Sequence, residues 1–335
     1  MIGPLLARLA AREDLSRGEA ALLVECFIDD RVTDAQVGAA LVALAMKGET
    51  ADELAGLAEA LRERAIPVLT RHRVFLDTAG TGGDGSGTFN ISTTAAFVIA
   101  AAGLPVAKHG NRAASSRSGS ADVLAALGIT IDDDADEAGA SLDELGICFM
   151  FAPKYHAATR RVADVRRQLG IRTAFNLLGP LTNPARAPRQ IIGVGTAAAV
   201  ERIAEVAARL GIERAWIVHG DGLDEMSISG TTRIADVRDG AVVRTFEVSP
   251  DDAGLPLAAR ESCGGGSPDD NAAVLAGILD GDIRDARRDV VVLNAAAGLL
   301  MGDVVESLDD GARRAEAAID SGAAARLLAA LRDRR

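Results

Sequence analysis

From Val74 onward, short apolar runs alternate with helical stretches, and this alternation restricts the fold more than any other feature of the chain. Val74-Phe75-Leu76 reads as a strand, followed by a glycine loop and a helix over 92–102. Pro105-Val106-Ala107 reads as a second strand, followed by a loop and a helix over about 121–127. Further strands fall at 148–151, 191–194 and 215–218, and a helix over 197–210 lies between the last two. Strand, loop and helix in repetition predict an α/β fold with a mainly parallel central sheet covered by helices. Two more strands within 234–248 flank Asp239-Gly240, a hairpin turn. From Asp269 the pattern is helical again.

The first 70 residues have a different character. Leu5, Leu6 and Leu9 form one apolar stripe. Ser16 with Glu19, and Thr50 with Glu53, are capping-box pairs, and Thr33 starts a helix between them. Leu22, Leu23, Cys26 and Phe27 recur at helical spacing, as do Val37, Leu41 and Leu44, and then Leu54, Leu57 and Leu61. Gly48 and Pro67 are stops. The expectation is a small all-helical domain over 1–70 beside a larger α/β domain, and a length of 335 residues accommodates both.

Hydrophobic residues make up 48% and aromatics only 3%, so the cores must be filled by Ala, Val, Leu and Ile. A net charge of −12 repels nucleic acid and anionic membranes, and neither is expected as a partner. An anionic substrate would need a local basic patch, backbone N–H groups or a metal. The cysteines, Cys26, Cys148 and Cys263, are odd in number and far apart, which fits a reducing compartment. With no visible signal peptide, and with Gly103 and Pro105 interrupting the longest apolar stretch, the chain is expected to be cytoplasmic.

Four clusters could carry chemistry. The first runs from Asp77 to Thr93 and includes Gly80, Gly83, Asp84, Thr88, Asn90, Ser92 and Thr93. Five glycines in eight residues, between a strand and a helix, let backbone N–H groups approach an anion. The order is neither the dinucleotide fingerprint nor the P-loop. The second is Lys108-His109-Gly110-Asn111-Arg112-Ala113-Ala114-Ser115-Ser116, with Ser120 after it. It combines cations, hydroxyls and hydrogen-bonding groups at a strand end, where open α/β sheets bind ligands. The third, His219 to Glu225, puts Asp224 beside Glu225. Such a pair suits Mg²⁺, which takes one or two carboxylates and fills its remaining positions with phosphate and water. The fourth spans 153–184, where Gly179-Pro180 and Asn183-Pro184 are turns. Several arginines precede them, one of which could fork onto a carboxylate. In isolation each cluster has an ordinary reading as a surface loop, a solvated charge or a turn. Their occurrence together favours a ligand site.

Together the clusters resemble the anthranilate phosphoribosyltransferase family. The resemblance rests on GTGGD at 80–84, NIST at 90–93, KHGNRAASS at 108–116 with GSAD at 119–122, LGIRTAFNLLGPLTNP at 169–184 and HGDGLDE at 219–225. It extends to the helical N-terminus and to the tail segments at 294–300 and 318–324. It implies a helical domain completed by about 165–185, an α/β domain over 71–164 and 186–335, and a homodimer formed through the helical domains. It implies phosphoribosyl diphosphate and anthranilate as substrates, with two Mg²⁺ ions per subunit. Gly80, Gly83, Asp84, Thr88, Asn90, Ile91, Ser92, Thr93, Lys108 to Ser116 and Ser120 would contact phosphoribosyl diphosphate. Ser92, Asp224 and Glu225 would serve the metal. Gly80, Asn111, Arg166 and Pro180 would contact anthranilate, and His109, Asn111 and Arg166 are the candidate catalytic residues. The chain departs from the family at Gly195, where a Tyr is common, at Ala157, and at Thr78-Ala79. Two other readings share the architecture. A pyrimidine nucleoside phosphorylase would need a different glycine loop and phosphate-binding set. A nucleic-acid-binding relative would have a basic groove and lack the Asp224-Glu225 pair.

Overall fold

The computed structural model describes residues 2–113 and 117–334. Four helices come first: α1 (Gly3–Ala10), α2 (Arg17–Ile28), α3 (Asp34–Lys47) and α4 (Ala51–Arg64). Capping boxes at Ser16, Thr33 and Thr50 open the last three. Each satisfies two backbone N–H groups that a bare helix start would leave unpaired. Glu53 goes further than its cap. Its buried carboxylate also accepts from the Leu15 N–H at 2.9 Å and pairs with Lys47 Nζ at 2.9 Å. It thereby ties three segments of the helical bundle together.

Alternation follows, with β1 (Leu76–Gly80), α5 (Ile91–Ala101), β2 (Val106–Gly110), α6 (Ser120–Ala126), α7 (Ala135–Leu145), β3 (Ile147–Phe151) and α8 (Ala152–Tyr155). Next come α9 (Arg160–Leu169), α10 (Phe175–Leu178), β4 (Arg189–Gly193), α11 (Ala199–Arg209) and β5 (Arg214–Gly220). The hairpin β6 (Thr232–Arg238) and β7 (Ala241–Val248) precedes α12 (Pro268–Leu279), α13 (Ala286–Met301), α14 (Leu308–Asp320) and α15 (Ala323–Asp333).

All seven strands form one sheet in the order β3-β2-β1-β4-β5-β6-β7. The first five are parallel, and β6 and β7 are antiparallel. The chain leaves β1 to one side for β2 and β3, then returns on the other side as β4 and β5. That reversal opens a crevice at the carboxyl ends of the strands beside β1, the usual ligand position in open α/β sheets.

Alternating residues of β4 and β5 feed two of the three cores, as the period of two requires. Ile191, Trp216 and Val218 face one core together with α5, α12 and α13. Ile192, Ala215 and Ile217 face another, shared with α11 and the helical bundle. The bundle therefore has no core wholly its own. Helix α9 packs on α2 and α3, and α10 on α4.

Two strands start or run differently from the sequence expectation. β1 begins at Leu76, not Val74, and continues through Asp77-Thr78-Ala79-Gly80. β2 continues through Lys108, His109 and Gly110, which the sequence pattern assigns to a loop. Polar residues occur in these central strands because the tertiary structure supplies buried partners that a local pattern does not reveal. Helix α7 is an addition, although the Asp134–Glu137 capping box and the left-handed Gly146 mark its ends.

Candidate active site

A cleft of about 370 Å³ lies at the carboxyl ends of the strands. Gly80, Gly83, Asp84 and Thr88 of the β1–α5 loop line it, with Asn90, Ile91, Ser92 and Thr93 at the start of α5. Lys108, His109, Gly110, Asn111, Arg112, Ala113 and Ser120 contribute from β2 and the loop after it. Arg166, Pro180, Asp224 and Glu225 complete the set. Ala114, Ser115 and Ser116 lie outside the described residues.

Four of the parallel strands, β1, β2, β4 and β5, end in glycine, and the reason is close approach. Gly80 and Gly193 are paired across β1 and β4. A Cβ on Gly80 would collide with the Asp224 carboxylate, and one on Gly193 with the Asp224 backbone carbonyl. Only bare backbone at these strand ends lets the acidic loop after β5 fold down over β1. Asp224 then accepts from the Gly82 N–H at 2.6 Å, and Glu225 from the Ser92 N–H at 3.1 Å. Gly195, by contrast, leaves room. A Cβ there would lie 3.5 Å from Asp84 Cα, an ordinary contact.

Burial and the neighbouring Asp84 push the Asp224 carboxyl up to about 6. Burial and Asp224 push Glu225 up to about 8. Two crowded, desolvated carboxyls are the environment a divalent cation relieves. Among the described residues no three His, Cys, Asp or Glu side chains gather into a metal cluster. A metal on Asp224 and Glu225 would draw its remaining oxygens from phosphate and water, as Mg²⁺ does.

Behind the cleft lies a buried polar network. Asp77 accepts from the His109 N–H at 3.2 Å and from Asn183 Nδ2 at 2.7 Å. Burial raises its carboxyl to about 6 against the attraction of Lys108. Lys108 donates Nζ to the Thr78 carbonyl, and burial pushes its own pKa down. His109 Nδ1 lies 3.0 Å from the Gly179 carbonyl, which can only accept, so Nδ1 carries the proton. Nε2 is then an acceptor, and it has no partner. Burial, with the tilted His156 ring 5.2 Å away, pushes His109 down to about 3, so the ring is neutral.

The loop after β2 is stapled by Asp122, which accepts from the Ala113 and Gly119 N–H groups and from Arg112 Nη1, each at 2.9 Å. Arg112 is thus already ion-paired. The Asn111 carbonyl accepts from Ser120 Oγ at 3.3 Å. Arg166 sits in the last turn of α9, 5.7 Å from the Phe175 ring centroid, with a buried Nε that has no partner. Three further contacts carry no local sequence signal. Asp122 staples its loop, Asn271 of α12 donates to Asn90 Oδ1 at 3.0 Å, and Arg172 Nη1 donates to the Gly82 carbonyl at 2.9 Å. Each joins residues distant in sequence or reverses a loop whose path is unknown until folded.

The cleft joins N–H donors and paired acids with a desolvated arginine, between a helical bundle and an α/β layer, and this accords with the two-domain glycosyl transferases whose models the chain matches. The glycosyl transferase family's helical bundle domain matches residues 3–65 and its a/b domain residues 72–325. The anthranilate phosphoribosyltransferase of Moorella thermoacetica is 50% identical over 332 residues, covering 99% of this chain and 97% of that protein. That of Myxococcus xanthus is 51% identical, over 97% and 96%. The crystal structure of the Thermus thermophilus enzyme superposes with a TM-score of 0.92 at 40% identity, covering 98% of both chains. The Saccharomyces cerevisiae enzyme, solved in complex with PRPP and Mg, superposes at 0.90 with 28% identity, covering 99% of this chain and 97% of that one. The chain belongs to the anthranilate phosphoribosyltransferase family.

Proposed function

We propose that the chain transfers the 5-phosphoribosyl group of phosphoribosyl diphosphate to the amine of anthranilate. The products are N-(5-phosphoribosyl)anthranilate and diphosphate, and the step belongs to tryptophan biosynthesis. The observation that carries this reading is the approach of Asp224 and Glu225 to the N–H groups of Gly82 and Ser92 in the cleft that Arg166 also lines. The family relationship supports it.

Mg²⁺ fits the oxygen donors of Ser92, Asp224 and Glu225, with two ions expected per subunit; when bound, it supplies charge neutralisation for the departing diphosphate. The glycine loop and the start of α5 offer N–H groups to the phosphates. Lys108 brings positive charge from beneath. Asn111 and Pro180 line the acceptor end, where Arg166 pairs with the anthranilate carboxylate. An aromatic amine is neutral at pH 7, so no strong base is needed before attack, and positioning supplies much of the rate. His109, neutral and with Nε2 bare, is suited to orienting the amine or taking its proton.

We read residues 1–70, completed by about 165–185, as the helical domain. Leu22 and Met46, both exposed on it, support a homodimer through this domain. No described helix is long and apolar enough to cross a membrane, and the three cysteines are free, in keeping with a cytoplasmic location. A fluorescence assay of anthranilate consumption, with phosphoribosyl diphosphate and Mg²⁺, tests the function. Consumption dependent on both is expected, and its absence would overturn the reading.

A further inference from the structure

We propose that Arg172 is a positioning residue that carries the docking of the helical bundle to the diphosphate loop. The proposal rests on reading 80–88 as that loop. Arg172 follows Gly170, whose left-handed backbone ends α9. Helix α9 is anchored on the bundle through Arg161, which bonds to Asp34 Oδ1 at 2.6 Å and to the Asp29 carbonyl at 3.1 Å. Thr173 N–H donates to Asn176 Oδ1 at 2.9 Å, which pins the other side of Arg172. The guanidinium is thus presented from a segment held at both ends.

Its target is the carbonyl of Gly82, 2.9 Å away. A charged donor makes this stronger than an ordinary amide bond. The approach is so close that a Cβ on Gly83 would collide with the guanidinium, and Gly83 also has a φ of 72°. Gly82 is therefore held on both sides. Its N–H goes to Asp224 and its carbonyl to Arg172. Two successive peptide planes are set in a loop whose glycines give it little stiffness of its own. In a trans peptide the N–H points opposite to the carbonyl, so the Gly83 N–H faces away from Arg172. It becomes a pre-aimed donor for the diphosphate.

Arg172 also lines a second recess of about 310 Å³ behind the loop, between Ala45 and Glu49 of the bundle side and Thr196 and Arg202 of the α/β side. The contact with Gly82 therefore bridges the two parts of the molecule. A shift of the bundle reaches the loop through this side chain.

The test compares wild type, Arg172→Ala and Arg172→Lys in two measurements. Hydrogen–deuterium exchange of the free chain, without substrates, reads the restraint directly. Exchange over 80–88 should rise at least several-fold in Arg172→Ala and be partly restored in Arg172→Lys. Steady-state kinetics should show the KM for phosphoribosyl diphosphate rising about tenfold in Arg172→Ala, with the KM for anthranilate unchanged and partial rescue by Lys. Unaltered loop exchange overturns the proposal. So does an equal rise in both KM values with a lowered Tm, which marks a merely structural residue. A wild-type chain inactive toward anthranilate would instead overturn the functional reading and leave the exchange comparison standing.

Discussion

The N–H of Gly82 donates to Asp224 Oδ2 across 2.6 Å, so a loop donor and an acid that the diphosphate and its metal would use are here bonded to each other. Glu225 is held in the same way by the Ser92 N–H at 3.1 Å. On the proposed reading, the cation would draw on the carboxylates and the diphosphate on the N–H groups, so each would free a partner for the other and the two should bind with positive coupling.

Replacing Asp224 and Glu225 together with Ala would remove the two carboxylates proposed to hold the cation. Turnover should fall by roughly 100-fold or more, on the scale of losing one oxyanion donor. The magnesium concentration giving half-maximal rate should rise. Rates measured across a magnesium series check this, and wild-type behaviour would remove the two acids from the metal site.

Arg166 is desolvated beside Phe175 and has no acid partner at Nε. Losing one charged hydrogen bond costs about 1.5–3 kcal/mol, or roughly 10- to 150-fold. Arg166→Ala should therefore raise the anthranilate KM by that factor and change the KM for phosphoribosyl diphosphate little. An equal effect on both would exclude a carboxylate role.

His109 should stay neutral well below the usual titration of imidazole. The unfolded chain binds this proton near pH 6.5, whereas burial holds the folded group down to about 3. Between those values the unfolded state carries more protons. The contribution to stability is complete above about pH 6.5 and is lost as pH falls towards 3. The imidazole nitrogen shifts of His109, followed by NMR from pH 7.5 to 5, should show one protonated Nδ1 and one bare Nε2 throughout. Titration near 6.5 would contradict the burial argument.

Glu53 offers a stability test away from the cleft. Glu53→Ala leaves the Leu15 and Thr50 N–H groups unpaired and removes a buried partner of Lys47. Breaking such a buried pair costs about 3–5 kcal/mol. Lys47 also bonds to Asp14 at 2.7 Å, so the lower part of that range is expected. Urea denaturation of the variant against wild type measures it.

The chain's local chemistry carried much of this structure. Period-two and period-3.6 patterns, together with the cap at Thr50, depend on neighbours within a few residues, and they marked the helical bundle, the parallel sheet and the hairpin. Glycines 80–87 and the acids Asp224 and Glu225 were legible as ligand chemistry for the same reason. The tertiary structure alone decided which of these groups meet. Lys108 and His109 belong to a strand because Thr78, Asp77 and Gly179 satisfy them from elsewhere in the chain. Gly80 and Gly193 are glycines because Asp224, distant in sequence, folds down over both. Arg172 reaches Gly82, 90 residues away, through the docking of a helix on the bundle. Side-chain type and short-range spacing are written along the chain. Contacts between distant segments arise only when hydrophobic burial brings those segments together.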